Sequence, residues 1–397
     1  MVVNKMAVLV VLSATTFSLS VCTELQAQDY CQSLTVQSIN HGESNFVEFI
    51  GEDLPILTEK QVLYATKTGV EVGFGRKMSI DGSTLAVGSS YSQNDHRGFV
   101  DIFYLQNDQW QHIKTLKSPI EQPREYFRGV ALDGDTLLVG AHGYCQSDPP
   151  EECQQGLVYI YDRNEGGPDN WGLVQQLDGG FKDASGFGLP LALSENTAAI
   201  MARREVVPGS ENTGVVYIFE KDFFETGQWD LVKRLASSDG MNLQQGYSGD
   251  GLKIRGDVLL IYGQDQSGEV INEFSRNEGG NDNWGLAEQI LFPATQLRAS
   301  AYDGETLVVH TLDQCIPDED QKHYLVFYNK DSKDGWIEQQ KLEVDETLGS
   351  PAIEGRQVVV GSEDGIAGYL LQRESAADSW EFSHKLMASD PSLELYR

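Results

Sequence analysis

The six tryptophans of the chain recur at nearly regular spacing, and this recurrence limits the possible fold more than any other feature. Successive tryptophans are separated by 61, 58, 55, 52 and 44 residues. Before each lie a short turn, an apolar run, a loop, a second apolar run and a polar loop. Periods of this length are typical of an array of equal supersecondary modules. The tryptophans are Trp110, Trp171, Trp229, Trp284, Trp336 and Trp380.

One unit of the repeat shows what each module contains. Residues 126–132 predict a short strand, and Asp133-Gly134 has the composition of a tight hairpin turn. Residues 136–140 are apolar on both faces, which is typical of a buried strand. Residues 157–161 and 171–177 predict two further strands. Four antiparallel strands in meander order form one blade of a β-propeller, so we predict an all-β chain.

The number of blades depends on how the N-terminal residues are interpreted. The repeat accounts for six blades within residues 73–397. Residues 28–72 carry strand-like runs but no tryptophan, and we interpret them as a degenerate first blade that closes the ring. We therefore predict a single propeller of seven four-stranded blades. Six blades with an N-terminal extension are the alternative.

The first 27 residues are typical of a secretory signal peptide. Lys5 precedes an apolar run at residues 6–12, and Ala27 offers a small residue at the cleavage point. We expect a secreted, extracellular protein. A lipid anchor at Cys22, which would give a surface protein, is the alternative. No run of 18 apolar residues follows, so no transmembrane helix is expected.

The remaining cysteines indicate disulfides, because an even number is left in a secreted chain. Cys145 and Cys153 bracket one loop and are the first expected pair. Cys31 and Cys315 are the second, which would tie the N-terminal segment to a late module. Neither pair has the spacing of metal ligands.

The charge of the chain excludes some partners. Sixty acidic residues stand against 29 basic ones, which gives a net charge of −31. Such a surface repels nucleic acid and anionic membranes. It also keeps a β-rich protein soluble and discourages edge-to-edge pairing of strands, so we expect a monomer.

Several of the modules share a short motif with a known repeat family. Phe74-Gly75 is followed by Val87-Gly88, and Phe127 is followed by Val139-Gly140. Phe187-Gly188 begins the third unit. The modules resemble FG-GAP repeats, the blades of the integrin α-subunit propeller and of secreted microbial proteins, and this chain is similar to the microbial type. The resemblance implies a platform for binding or adhesion. The later blades depart from the motif: His310 and Thr311 replace its Gly-Ala pair.

Calcium is the one cofactor that the resemblance suggests. Integrin propellers hold it in an extended, Asp-rich loop between the first and second strands of several blades. Here those connections are tight turns such as Asp81-Gly82 and Asp133-Gly134. They lack the alternating acidic ligands of a calcium loop, so we predict no metal and no cofactor.

The loops between second and third strands vary most in length and chemistry, whereas the strands repeat. Such loops share one face of a propeller with the mouth of its central channel, so we predict that this face carries the ligand site. The tryptophans stand at a fixed place in each module, which favours packing between blades over sugar stacking. The candidate ligand-binding residues are Asp95, His96, His142, Arg203, Arg204, Asp318, Asp320 and His323.

Sequence motifs of catalysis are missing. The chain has no Gly-x-Ser-x-Gly, no His-Glu-x-x-His and no phosphate-binding loop, and we name no catalytic residue. We predict a secreted, noncatalytic propeller that binds an extracellular protein or glycan. A polysaccharide-active enzyme with its site in the central channel and a structural surface protein are the alternatives.

Overall fold

The computed structural model describes most of the chain between residues 56 and 387. The described residues contain no helix with the length and apolar character that crossing a membrane requires. All five cysteines lie outside the described residues, as do residues 1–55 with the expected signal peptide. The described residues are 56–58, 61, 63, 71–72, 74–75, 77–89, 91–92, 98–119, 126–142, 156–180, 186–206, 213–222, 226–236, 251–265, 268–293, 295–313, 322–344, 348–362 and 367–387.

These residues form six sheets, each built on four antiparallel strands in chain order, which are the blades of a propeller ring. Blade 1 contains β3 (Lys77–Asp81), β4 (Thr84–Ser89), β6 (Phe99–Gln106) and β7 (Gln109–Lys117). Blade 2 contains β8 (Tyr126–Asp133), β9 (Thr136–His142), β10 (Leu157–Asp162) and β11 (Gly172–Leu177). Blade 3 contains β12 (Phe187–Ser194), β13 (Thr197–Val206), β14 (Thr213–Lys221) and β15 (Trp229–Ala236). Blade 4 contains β16 (Leu252–Arg255), β17 (Val258–Asp265), β18 (Gly268–Ser275) and β19 (Gly285–Phe292). Blade 5 contains β20 (Thr295–Tyr302), β21 (Thr306–Asp313), β22 (His323–Asp331) and β23 (Gly335–Val344). Blade 6 contains β24 (Leu348–Glu354), β25 (Gln357–Ser362), β26 (Ala367–Gln372) and β27 (Glu381–Met387).

Three short strands lie outside the four-stranded sheets, and they bear on the number of blades. β1 (Ile56–Thr58) pairs in parallel with β27 and becomes a fifth strand of blade 6. β2 (Glu71–Val72) pairs with β5 (Tyr91–Ser92), outside the four-stranded sheets. The described part of residues 28–72 therefore adds to existing blades, because its strands are too short to form a sheet of their own. The described residues form six blades in one propeller, the alternative count, and not the seven that we preferred.

Apolar side chains fill the spaces between neighbouring blades. Residues alternate along each strand, so that Leu138 of blade 2 packs towards blade 3 while Leu137 packs towards blade 1. The tryptophans follow one rule: Trp171 packs against blade 1, Trp229 against blade 2 and Trp284 against blade 3. For these three tryptophans the predicted packing between blades is confirmed.

The Phe-Gly and Val-Gly pairs are required by close backbone contacts between blades. A Cβ atom on Gly140 of blade 2 would lie 2.0 Å from the carbonyl oxygen of Gly188 in blade 3. A Cβ atom on Gly156 would lie 1.7 Å from the carbonyl oxygen of Phe187. Only glycine permits this approach, which explains why the two dipeptides recur together in the early blades.

A side chain of each blade also holds the next blade at its tryptophan. The Trp229 N–H donates to Gln175 Oε1 at 2.8 Å, and Gln175 Nε2 donates to the Trp229 carbonyl at 2.8 Å. Gln175 stands four residues after Trp171, and the residue at this position in each of the first five blades binds the next blade in a similar way. We call this contact the clasp. Its other members are Lys114 with Asn170, Lys233 with Asn283, Glu288 with Trp336, and Gln340 with Trp380.

Candidate functional site

The two ends of the blades differ in chemistry. We call the end at which second strands finish and third strands begin the 2–3 face. Arg203 and Arg204 lie near the end of β13, and His323 begins β22, so the structure places all three there. His142 is the last residue of β9 and belongs to the same face. Asp95, His96, Asp318 and Asp320 lie outside the described residues, so the structure does not show whether they join the others.

At the opposite end of the blades, two arginines make contacts that hold neighbouring blades together. Arg276 of blade 4 lies 5.0 Å from the centre of the Trp284 ring and pairs with Asp257 at 2.7 Å. It also pairs with Glu220 of blade 3, to which the indole N–H of Trp284 donates at 3.3 Å. Arg373 lies similarly over Trp380, at 4.5 Å. Ion pairs within the protein therefore satisfy Arg276, whereas Arg373 donates to the Thr306 hydroxyl of blade 5 at 3.0 Å.

The repeated Asn-Glu-Gly-Gly loops at that end adopt the same backbone in blades 2 and 4. The second glycine has a φ of 133° at Gly167 and 140° at Gly280. Asn170 Nδ2 donates to the Glu165 carbonyl at 2.7 Å, and Asn283 repeats this bond to Glu278 at 2.9 Å. These loops close on themselves, which supports a role in turn formation rather than in ligand binding.

On the 2–3 face, blade 3 holds a buried carboxylate. Glu205 near the end of β13 is 2% exposed and accepts a hydrogen bond of 2.6 Å from the Tyr217 hydroxyl. Arg234 of β15 forms an ion pair with the same carboxylate. Burial and then Glu205 raise the pKa of Tyr217 above its usual range, so the hydroxyl stays protonated. The charge of Glu205 is thus fully used within the blade.

Arg203 lies two residues before Glu205 in the same strand. Between Ala202 and Val206 the pairing of β13 with β14 shifts register, and Arg203 and Arg204 both lie in the bulge. Arg203 is half-buried, and burial and then the charge of Arg204 lower its pKa. Among the described residues no carboxylate pairs with Arg203. A half-buried cation beside a second cation favours an anionic ligand.

Where blades 4 and 5 meet, a second carboxylate is buried. Glu269 of β18 is 6% exposed and accepts a hydrogen bond from the main-chain N–H of Leu297 in β20. Burial raises the pKa of Glu269, although that hydrogen bond, the Tyr262 hydroxyl and the charge of Arg298 all act in the opposite direction. Burial also raises the pKa of Tyr262. The hydrogen bond from Leu297 to Glu269 joins two blades, and little of the Glu269 carboxylate remains accessible.

Blade 5 contributes a pair of histidines. His310 Nε2 lies 3.0 Å from His323 Nδ1, and His310 is completely buried. Burial and then the neighbouring His323 and Arg298 lower the pKa of His310 to about 3, so the ring is neutral at physiological pH. His310 occupies the position that Gly140 has in blade 2, and Gly349 of blade 6 faces it. The departure from the Phe-Gly and Val-Gly pattern therefore makes room for an imidazole between two blades.

Sequence reasoning missed three of these buried ionisable residues: Glu205, Glu269 and His310. His310 follows the apolar run Leu307–Val309 of β21, and an ionisable residue in such a run was the available signal. Glu205 and Glu269 lie near strand ends in strands that contain other polar residues, so they carry no such signal. Within the described ranges, no group of three or more His, Cys, Asp or Glu residues is arranged to hold a metal ion. The His310–His323 pair offers two imidazoles, but the nearby charge of Arg298 opposes a cation.

Comparisons with known proteins support the fold and do not extend to function. No protein-family model matches the sequence, and no curated protein matches it. A structure of a prolyl endopeptidase is similar with a TM-score of 0.50 at 15% identity, over 86% of this chain and 45% of that chain. The complex of KlAtg21 with the coiled-coil of AgAtg16 has a TM-score of 0.49 at 10% identity, over 84% and 89%. A putative 6-phosphogluconolactonase from Bacteroides uniformis has a TM-score of 0.46 at 11% identity, over 77% and 83%. At these identities the likeness concerns the arrangement of blades alone.

Proposed function

We propose that this chain is a secreted, noncatalytic propeller of the FG-GAP type that binds an extracellular protein or glycan on its 2–3 face. The support comes from the contrast between the two ends of the blades. At one end Arg276 pairs with the carboxylates of Glu220 and Asp257, whereas Arg203 on the 2–3 face has no anionic partner among the described residues.

Arg203 is the single observation that carries the proposal. Its partial burial has a cost that a carboxylate, sulfate or phosphate group on a ligand would offset, because a charge-assisted hydrogen bond strengthens where water is excluded. The adjacent Glu205 cannot supply that group, since Arg234 and Tyr217 already occupy it. The ligand that fits is therefore an extracellular protein or glycan with an accessible anionic group.

The experiment uses the chain from residue 28 to residue 397. Its binding is measured on an array of neutral, uronic-acid and sulfated glycans and on a panel of extracellular proteins, with calcium and with chelator. We expect binding to acidic ligands that Arg203→Gln weakens by at least about tenfold, the loss of one good charge-assisted contact. Arg356→Gln, at the opposite end of blade 6, is the matched control and leaves binding unchanged. Equal binding by the wild type and by Arg203→Gln would refute the assignment of the site.

Polysaccharide cleavage is a second candidate, and one observation favours it. Burial raises the pKa of Glu269, as the general acid of a glycosidase requires. Its hydrogen bond to the Leu297 N–H argues for a structural role instead. A reducing-sugar assay on acidic polysaccharides separates the two functions, and release of sugar that Glu269→Gln abolishes would establish the enzyme.

A further inference from the structure

Blade 1 and blade 6 expose apolar faces that every other neighbouring pair of blades buries. On β3 of blade 1, Met78 is 61% exposed and Ile80 is 60% exposed. The residues at the position of Ile80 in blades 2 and 4 are Leu132 and Ile254, which are 7% and 5% exposed. Both pack against the preceding blade. The face of blade 1 that would meet a preceding blade is therefore open.

Blade 6 shows the complementary feature. Val359 on β25 is 41% exposed, and its counterparts point towards the following blade. These counterparts are Ala86, Leu138, Ala199, Leu260 and Val308, all at most 3% exposed. We call the two open faces, with Met78 and Ile80 on one side and Val359 on the other, the seam.

The space around the motif glycines also shows that blades 1 and 6 are not packed against each other. A Cβ atom on Gly140 would lie 2.0 Å from the next blade, whereas one on Gly361, at the same position in blade 6, would meet nothing within 4 Å. Gly75 of blade 1 corresponds to Gly188 of blade 3, and a Cβ atom there would also meet nothing within 4 Å. Both halves of the Gly–Gly contact are thus present at the seam, but they do not touch.

The N-terminal segment enters the molecule at this place. β1 pairs with β27 at the outer edge of blade 6. Three residues after β1, Gln61 Nε2 donates to the Trp110 carbonyl at 2.9 Å, and Trp110 N–H donates to Gln61 Oε1 at 2.7 Å. This is the clasp, made by the N-terminal segment in place of blade 6. In blade 6 the corresponding residue is His384, and its Nδ1 lies 3.2 Å from its neighbour Ser383.

We propose that the seam is a docking surface for the chain's own residues 28–55. This segment leads directly into β1, so it starts from the edge of the seam. Its 28 residues contain strand-like runs at residues 34–37 and 46–50, whose lengths are typical of β-strands. Covering Met78, Ile80 and Val359 removes from water the largest apolar side chains of two adjoining open faces. This inference is independent of the ligand site on the 2–3 face.

Oxidation of Met78 tests the proposal on residues 28–397. Hydrogen peroxide converts accessible methionine to the sulfoxide, and mass spectrometry follows each site separately. We expect Met78 to react as slowly as Met201, which is 1% exposed and serves as the buried reference. In Phe46→Asp/Phe49→Asp, which places charge in the segment, we expect Met78 to react quickly while Met201 stays protected.

Two outcomes would overturn the proposal. Fast oxidation of Met78 in the wild-type monomer would mean that nothing covers the seam. Protection that disappears on dilution, together with a dimer in light scattering, would mean that a second copy covers it. Because the first measurement needs no substitution, a variant that fails to fold does not affect the result.

Discussion

The carboxamide of Gln340 binds both main-chain polar groups of Trp380 in the next blade. Oε1 accepts the Trp380 N–H at 2.6 Å, and Nε2 donates to the Trp380 carbonyl at 3.0 Å. Both groups are partly buried, so Gln340→Ala leaves them without protein partners. We expect it to lower the free energy of unfolding by about 1–3 kcal/mol. Urea unfolding measures the change, and Gln339→Ala, an exposed neighbour, should change it by less than about 0.5 kcal/mol. Equal effects of the two substitutions would contradict the clasp.

Glycine at the motif position should matter only where two blades touch. Gly140→Ala places a Cβ atom 2.0 Å from the Gly188 carbonyl oxygen, and relieving that clash requires the backbones to separate. We expect a loss of about 1–3 kcal/mol or more in the free energy of unfolding. Gly361→Ala makes the same change at the same repeat position in blade 6 and should cost much less. Thermal unfolding of both variants checks the comparison, and a milder effect at Gly140 than at Gly361 would be inconsistent with it.

The buried His310 should make stability depend on pH. Its pKa is about 3 in the folded protein and about 6.5 in the unfolded chain, so between these values the unfolded state binds the extra proton. Stability due to this group is therefore complete above pH 6.5 and falls as the pH decreases towards 3. The groups that face it are His323 of β22, Arg298 of β20 and the Gly349 backbone of β24. In His310→Leu the loss of stability over this range should be smaller, by a few kcal/mol. Parallel curves for the two proteins, from urea unfolding at a series of pH values, would exclude this role.

The buried Glu273 should destabilise the folded protein when its ion-pair partner Lys330 is removed. Its buried carboxylate accepts the Trp336 indole N–H at 2.7 Å and pairs with Lys330, whose side chain is 37% exposed. Lys330→Met leaves a buried charge unpaired, and we expect a loss of about 2 kcal/mol after allowing for solvent screening of the lysine. Adding Glu273→Gln removes that charge and should restore part of the loss, with Trp336 fluorescence as the local readout. A double variant less stable than Lys330→Met would rule out the unpaired charge as the cause.

The repeat made the blades predictable from sequence, because each strand of a blade carries a local pattern. Trp229 and the other tryptophans could be assigned to the spaces between blades since they keep a fixed place in every unit. The predicted turn at Asp133-Gly134 joins β8 to β9 as expected. The number of blades was harder to predict. β1 pairs in parallel with the edge strand of blade 6, and no local sequence pattern indicates that pairing.

The candidate site was predictable only in part. Arg203, Arg204 and His323 could be assigned to the 2–3 face from sequence because they lie in or beside variable loops. Glu269 and His310 could not, because they lie within strands and become neighbours of Leu297 and His323 through pairing and blade contacts. Contacts between side chains of neighbouring blades leave no pattern in the spacing of residues along the sequence.

The clasp also bears on how such a chain can change in length. Each of blades 2 to 5 carries both halves of the joint: a tryptophan segment that the preceding blade holds, and a residue four positions after the tryptophan that holds the following blade. A duplicated unit therefore brings a complete joint with it, and its insertion leaves the old joints intact. The ten-residue sequence from Arg163 to Gly172 returns at residues 276–285 with one substitution and the same backbone, as expected of a copied unit. A ring of this kind can gain a blade in a single genetic event, whereas a conventional core would have to be repacked throughout.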